Sequence, residues 1–86
     1  MTPFEAFNRL IDLRGIKNSY IAQQLNISHT TWYNYKKEPG KLSDHQREII
    51  VRLLRIRLEF LDSIISLDSS IDTNYFEQQV LSQTYH

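Results

Sequence analysis

Residues 18–37 read NSYIAQQLNISHTTWYNYKK, and this stretch decides the fold. It consists of two short segments on either side of Asn26, a residue type that tolerates the left-handed conformation of a sharp turn. The apolar residues of each segment fall on one helix face: Ile21, Ala22 and Leu25 in the first, Trp32 and Tyr35 in the second. Ser28 can cap the second helix with its hydroxyl. The stretch therefore predicts a helix-turn-helix.

The spacing of five of these positions resembles the Cro/C1-repressor class of phage and plasmid DNA-binding domains. That class has a small residue in its second helix, a glycine four residues later, an aliphatic plug and two apolar anchors. The corresponding residues here are Ala22, Asn26, Ile27, Trp32 and Tyr35. Asn26 stands where the class has glycine, and Trp32 is bulkier than the usual Val or Ile. The resemblance covers roughly residues 2–55 and implies a lambda-repressor-like domain that binds double-stranded DNA.

Composition limits the other possibilities. The chain has 86 residues, no cysteine, two glycines and two prolines, so we predict a single all-α domain without disulfides. Its three histidines are scattered, and we expect no metal, cofactor or small-molecule ligand. No apolar run reaches the length of about 18 residues that a membrane helix needs, and the first residues do not show a signal-peptide pattern. We expect no membrane contact and a cytoplasmic, nucleoid-associated protein.

The charges divide the chain into two parts. All ten Lys and Arg lie in residues 1–57 with five acids, whereas residues 58–86 hold five acids and no base. This asymmetry favours a DNA-binding region at 1–57 and an acidic helical extension at 58–86, within one compact domain. The alternative is that both are simply solvated faces.

Capping signals mark further helices. A capping box of Thr2 and Glu5 begins the first helix, which Gly15 ends. A second box at Ser43 and Gln46 begins a fourth helix, which has no glycine or proline to stop it and is predicted to run to about Leu67. A last helix is predicted to begin at a cap formed by Asp72 or Thr73. The sequence thus predicts a bundle of about five helices.

The outward face of helix 28–36 carries the candidate functional residues. Asn can pair with adenine, Thr can contact a base or a thymine methyl, and His can donate to guanine in the major groove. The resemblance implies that Asn18 touches a phosphate or braces a base-reading side chain with its amide, and the alternative is that it is only a helix cap. The predicted base-reading residues are His29, Thr30, Tyr33 and Asn34, and the predicted phosphate contacts are Lys17, Asn18, Ser28, Lys36, Lys37 and Lys41. The alternative for each is a solvated position.

The long fourth helix is apolar on too many sides for a lone surface helix. We therefore predict a homodimer whose shared core is formed by Leu54, Leu58, Leu61, Ile64, Ile65, Tyr75, Phe76 and Val80. The alternative is intramolecular, with the last helix folding back on the long one in a monomer.

These observations favour a sequence-specific regulator of transcription, and the resemblance implies a repressor from a phage or other mobile element. The second possibility is a protein-interaction adaptor or antitoxin-like module that uses the helix-turn-helix only as a scaffold. An enzyme is not expected, because the chain lacks a cysteine, a glycine-rich phosphate loop and a converging set of His, Asp and Glu.

Overall fold

The computed structural model describes residues 1–66 and 73–82, and these residues form an all-helical bundle. A 3₁₀ turn at Pro39–Lys41 separates the third and fourth of its α-helices. The predicted all-α fold is confirmed, with six described helices where the sequence predicted about five. The helices are α1 Pro3–Arg14, α2 Asn18–Leu25, α3 His29–Lys37, α4 Asp44–Leu54, α5 Leu58–Ile65 and α6 Thr73–Ser82.

The predicted ends of α1 and the predicted start of α4 are confirmed. The Thr2 hydroxyl accepts a hydrogen bond from the Glu5 N–H, and the Glu5 carboxylate accepts one from the Thr2 N–H. Gly15 adopts a φ of 67°, which a residue without Cβ reaches at little cost. Ser43 and Gln46 form the second reciprocal box. These local signals set the ends of α1 and the start of α4 before any tertiary contact is made.

Helix α1 is at the centre of the packing. It contacts α3, α4, α5 and α6, and its residues Phe7 and Leu10 are fully buried. The Phe7 ring packs edge-on against Trp32, with centroids 5.9 Å apart. Helix α2 packs against α3 and α4. The helix-turn-helix is therefore held from two sides, by α1 and by α4.

The predicted long helix from Ser43 to Leu67 is wrong, because the chain turns sharply after Leu54. Arg55 adopts a left-handed conformation with φ of 56°, and α5 begins three residues later. A straight helix of that length would span about 36 Å at 1.5 Å per residue, longer than the 31 Å of the molecule. The turn instead brings Ile56 and Leu61 into the same core as Leu54.

Arg14 stabilises this turn from the end of α1. Its Nε donates to the Leu54 carbonyl at 3.0 Å, and its Nη2 donates to the carbonyls of Arg55 and Val80 at 3.5 and 3.3 Å. These oxygens lie near the C-terminal ends of α4 and α6, where carbonyls lack helical partners and a cation is favoured. The Arg14 guanidinium thus ties three helices together.

Helix α6 folds back on the rest of the chain. It packs against α1, and its Phe76 ring stacks on Phe60 with centroids 5.7 Å apart. Glu77 forms an ion pair with Arg9, and Asp62 lies 3.7 Å from Arg47. Part of the acidic extension is therefore paired with bases of the N-terminal region. Leu67, Asp72 and the side chain of Thr73, which entered the predicted helix end and cap, lie outside the described parts of the chain.

This packing corrects the predicted dimer core. Most of its residues are already covered within one chain, because α1 and α6 close over α4 and α5. Leu58 and Tyr75 remain 48% and 58% exposed, and Ile65 is half-buried. The buried residues, which are unavailable to a second copy, are Leu54, Leu61, Ile64, Phe76 and Val80.

Candidate nucleic-acid interface

The turn between α2 and α3 is built by local hydrogen bonds. Asn26 adopts the predicted left-handed conformation, with φ of 57° and ψ of 46°. The Ile27 N–H donates to the Ala22 carbonyl at 3.0 Å. Ser28 caps α3 as predicted, since its hydroxyl accepts from the Thr31 N–H at 3.1 Å and donates to the Thr31 hydroxyl at 2.9 Å. The first turn of α3 is thus fixed relative to α2.

Helix α3 presents one polar face to solvent. Trp32 is 1% exposed and faces the core, which sets the rotation of the helix. The exposed residues on the opposite side are His29, Thr30, Tyr33, Asn34 and Lys37. All four predicted base-reading residues therefore have exposed side chains on one helix, while their contact with bases stays a prediction.

The Tyr33 ring contacts two side chains at the edge of this face. It packs edge-on against Phe4, with centroids 5.0 Å apart, and the Lys37 Nζ lies 4.5 Å from its centroid. A cation over an aromatic face is attracted by the ring quadrupole. The N-terminal turn of α1 therefore borders the exposed face of α3, a neighbour that the sequence analysis did not anticipate.

Lys36 does not occupy the surface position that the sequence analysis assigned to it. It is only 5% exposed, and its Nζ donates to Asn8 Oδ1 at 2.7 Å and to Asn18 Oδ1 at 3.2 Å. Burial lowers the pKa of Lys36 below its ordinary value, because desolvation disfavours the charged form. The prediction of a surface phosphate contact is therefore wrong for Lys36. Its spacing of four residues from the buried Trp32 was the signal that could have shown this.

Asn18 is not a helix cap. It is the first residue of α2, and the cap residue, Lys17, makes no side-chain capping bond. The Asn18 Oδ1 instead accepts from the Trp32 Nε1 at 2.8 Å as well as from Lys36. Both neighbours can only donate, so the amide oxygen must face them and the amide NH₂ must face away. The Asn18 oxygen thus holds α3 through Trp32 and Lys36. The two N–H donors of its amide face away and can bond a group outside this network.

A shallow depression of about 390 Å³ joins the start of α2 to the exposed face of α3. It brings three of the predicted base-reading residues next to the Asn18 and Lys36 pair. The residues that line it are Asn18, His29, Thr30, Trp32, Tyr33 and Lys36. Asn34 does not line the depression.

The remaining predicted phosphate contacts lie on the surface around this face. Ser28, Lys17, Lys37 and Lys41 are exposed. Lys41 lies 3.1 Å from Glu38 in an ion pair whose side chains are 69% and 65% exposed. Such an exposed pair contributes about 0–1 kcal/mol and leaves the lysine able to exchange partners.

Two other kinds of site were sought in the described residues. Residues 1–66 and 73–82 contain no group of three or more His, Asp or Glu that could hold a metal ion. Across the same residues, no helix is both long and apolar enough to cross a membrane.

The comparisons with known proteins agree with this geometry. The sequence model of the antitoxin Xre-like helix-turn-helix domain matches residues 1–55, close to two thirds of the chain. The match spans α1 to α4 and ends at Arg55, where the structure turns into α5. Searches of curated proteins and of solved structures found no match. The chain belongs to the antitoxin Xre-like helix-turn-helix family, and its N-terminal region is a DNA-binding domain of the Xre/Cro type.

Proposed function

We propose that this protein is a sequence-specific regulator that binds double-stranded DNA and reads the major groove with α3. The observation that carries the proposal is the exposed face of this helix, the second of the motif. An α-helix fits the major groove of B-DNA, where each base pair presents its own pattern of donors and acceptors. Apart from Lys37, the face offers neutral hydrogen-bonding side chains, and groups of this kind can bond the edges of bases.

Each side chain on this face has a base edge that it can recognise. The Asn34 amide can pair bidentately with adenine, and Thr30 can bond a base or contact a thymine methyl. His29, in the first turn of α3, can donate to guanine. Tyr33 is proposed as a base contact at the edge of this set, where its ring packs against Phe4.

Phosphate contacts would supply most of the non-specific affinity. We assign them to Lys17, Lys37 and Lys41, together with the amide NH₂ of Asn18 and with Ser28, whose hydroxyl would donate to phosphate in place of the Thr31 hydroxyl. Lys36 is excluded because its ammonium is buried between Asn8 and Asn18. Affinity should therefore fall steeply as the salt concentration rises.

We further propose that the protein acts as a homodimer and as a repressor of a phage or other mobile element. Two copies would read half-sites about 34–36 Å apart, one turn of DNA. The packing within one chain restricts the interface to the apolar residues left accessible after residue 55. The predicted interface residues that remain are Leu58, Ile65 and Tyr75.

The second candidate is an antitoxin-like module that binds a protein partner. The family description names an antitoxin, and apolar side chains outside residues 1–55 are exposed: Leu58 in α5, and Tyr75 and Leu81 in α6. The two candidates are compatible in one chain, since DNA binding would use α3 and partner binding would use α5 and α6.

Selection of bound duplexes from a random pool tests the proposal. We expect enrichment of one motif, and a homodimer should enrich two inverted copies of it. Sedimentation should give a mass near twice 10.3 kDa for a dimer, which Leu58→Lys should halve. No enrichment, together with equally weak binding to all duplexes at low salt, would contradict DNA reading and favour the protein-partner role.

A further inference from the structure

One buried ammonium connects the three helices around the proposed DNA-reading face. Lys36 belongs to α3, Asn8 to α1 and Asn18 to α2, and the Lys36 Nζ lies within hydrogen-bond distance of both amide oxygens. Asn18 also accepts from Trp32, again in α3. A single polar network therefore links α3 to both neighbouring helices.

The surroundings of the ammonium are aromatic. The Lys36 Nζ lies 5.0 Å from the ring centroid of Phe4 and 6.0 Å from those of Trp32 and Tyr33. Cation–π attraction offsets part of the desolvation cost of a buried charge. No carboxylate lies among these contacts, so the ammonium is held by neutral groups alone and its position depends on their geometry.

A network of this kind is a poor source of stability. An apolar residue of similar volume often replaces a buried charge without loss, because the desolvation cost disappears with the charge. What the apolar residue cannot reproduce is the directional link from α3 to both amides. The network therefore fixes where α3 lies rather than whether the chain folds.

We propose that Lys36 is a positioning residue for sequence reading: it fixes α3 against α1 and α2 at the angle that brings the exposed face to the bases, and it does not contact phosphate. This rests on the proposed DNA-binding function. It assigns to adjacent lysines, Lys36 and Lys37, two different roles in the same helix.

The test compares Lys36→Met with the matched control Lys37→Met. Each variant and the wild type are titrated with the selected duplex and with a random duplex over a series of salt concentrations. For Lys36→Met we expect affinity for the selected duplex to fall about 10-fold, within the range of one lost base contact. Random-duplex affinity and both salt slopes should stay unchanged. For Lys37→Met we expect similar losses on both duplexes and a salt slope smaller by about 0.9.

The indole N–H resonance of Trp32, the chain's one tryptophan, reports on the network without DNA. Lys36→Met should shift this resonance, because the shared acceptor Asn18 loses its second donor, while Lys37→Met should leave it in place. Asn8→Ala gives a second variant that retains the lysine, and it should lower selectivity in the same way with no change in slope.

The outcomes separate the proposals. A salt slope that falls in Lys36→Met as it does in Lys37→Met would make Lys36 a phosphate contact and overturn the positioning role. Unchanged selectivity in both Lys36→Met and Asn8→Ala would also overturn it. A wild-type chain that shows no preference between the selected and random duplexes would overturn the proposed function itself, and the positioning role with it.

Discussion

The indole N–H of Trp32 donates a 2.8 Å hydrogen bond to the side-chain oxygen of Asn18, and this bond joins the two helices of the motif. The Trp32 ring meanwhile packs against Phe7 in the core. One side chain therefore connects the hydrophobic core to the start of α2. The apolar and the polar part of this link can be removed separately.

Replacing Trp32 tests both parts. Trp32→Ala should lower the free energy of unfolding by about 3–5 kcal/mol, as for other large-to-small aromatic changes in cores. Trp32→Phe keeps a six-membered ring but removes the donor and the rest of the indole, while Lys36 still serves the Asn18 oxygen, so it should cost less than Trp32→Ala, about 1–3 kcal/mol. Urea unfolding measures both values. An Ala variant as stable as the wild type would place Trp32 outside the core.

The turn at Arg55 can be tested by comparing glycine and alanine at this position. The observed turn and a continuous helix predict opposite orders of stability for the two variants. Left-handed backbone costs a residue with Cβ about 1–2 kcal/mol, part of which is offset by the greater unfolded-state entropy of glycine. Arg55→Gly should therefore be more stable than Arg55→Ala by up to about 1 kcal/mol, with the arginine absent from both. If α4 and α5 formed one continuous helix, Ala would be the more stable variant by about 1 kcal/mol.

Local signals explain why so much of the N-terminal half was predictable. The caps at Thr2, Ser28 and Ser43 and the left-handed Asn26 depend on residues close in sequence. Helical spacing from the motif placed Trp32 in the core and the polar residues of α3 outside. These features need no knowledge of how distant parts of the chain meet.

The errors arose where tertiary contacts override local pattern. Arg55 carries no sequence signal for a turn, because it is the Arg14 guanidinium and the burial of Ile56 that stabilise it. Lys36 is buried because Asn8 and Asn18, 28 and 18 residues away in sequence, supply acceptors. The excess of apolar residues after Leu54 was real, but packing within one chain buries many of them and leaves Leu58, Tyr75 and Leu81 exposed.

The burial of Lys36 also predicts a pH dependence. Its pKa in the folded chain lies below its ordinary value of 10.5, so between the two values the unfolded chain binds more protons than the folded chain. Stability from this group therefore rises with pH through that window and is lost as pH falls. Relative to Lys36→Met, the wild type should gain stability between pH 7 and the alkaline end of the window.

Urea unfolding of the wild type and Lys36→Met across this pH range measures the difference between their stabilities. Titration of the tyrosines affects both proteins equally and cancels from this difference. A wild type that loses stability relative to Lys36→Met as the pH rises would contradict a lowered pKa of Lys36. It would show that the ammonium is favoured, rather than penalised, in its site.

Lys17 provides the test of phosphate binding at the start of α2. It is exposed beside Asn18, at a helix end whose N–H groups have no side-chain cap. Lys17→Ala should weaken binding to selected and random duplexes alike and reduce the salt slope by about one unit. Arg52→Ala, an exposed cation on α4 outside the proposed contacts, should leave the slope unchanged. Equal salt slopes for the wild type, Lys17→Ala and Arg52→Ala would show that Lys17 does not contact phosphate.

Asn34 lies on the exposed face of α3, and its replacement shows whether this face reads the base sequence. The measurement is the affinity of wild type and Asn34→Ala for the selected duplex and for a random duplex at one salt concentration. Asn34→Ala should lose about 1–3 kcal/mol of binding free energy on the selected duplex and much less on the random one, with the thermal stability of the chain unchanged. Equal losses on the two duplexes, or no loss on either, would contradict sequence reading by this face.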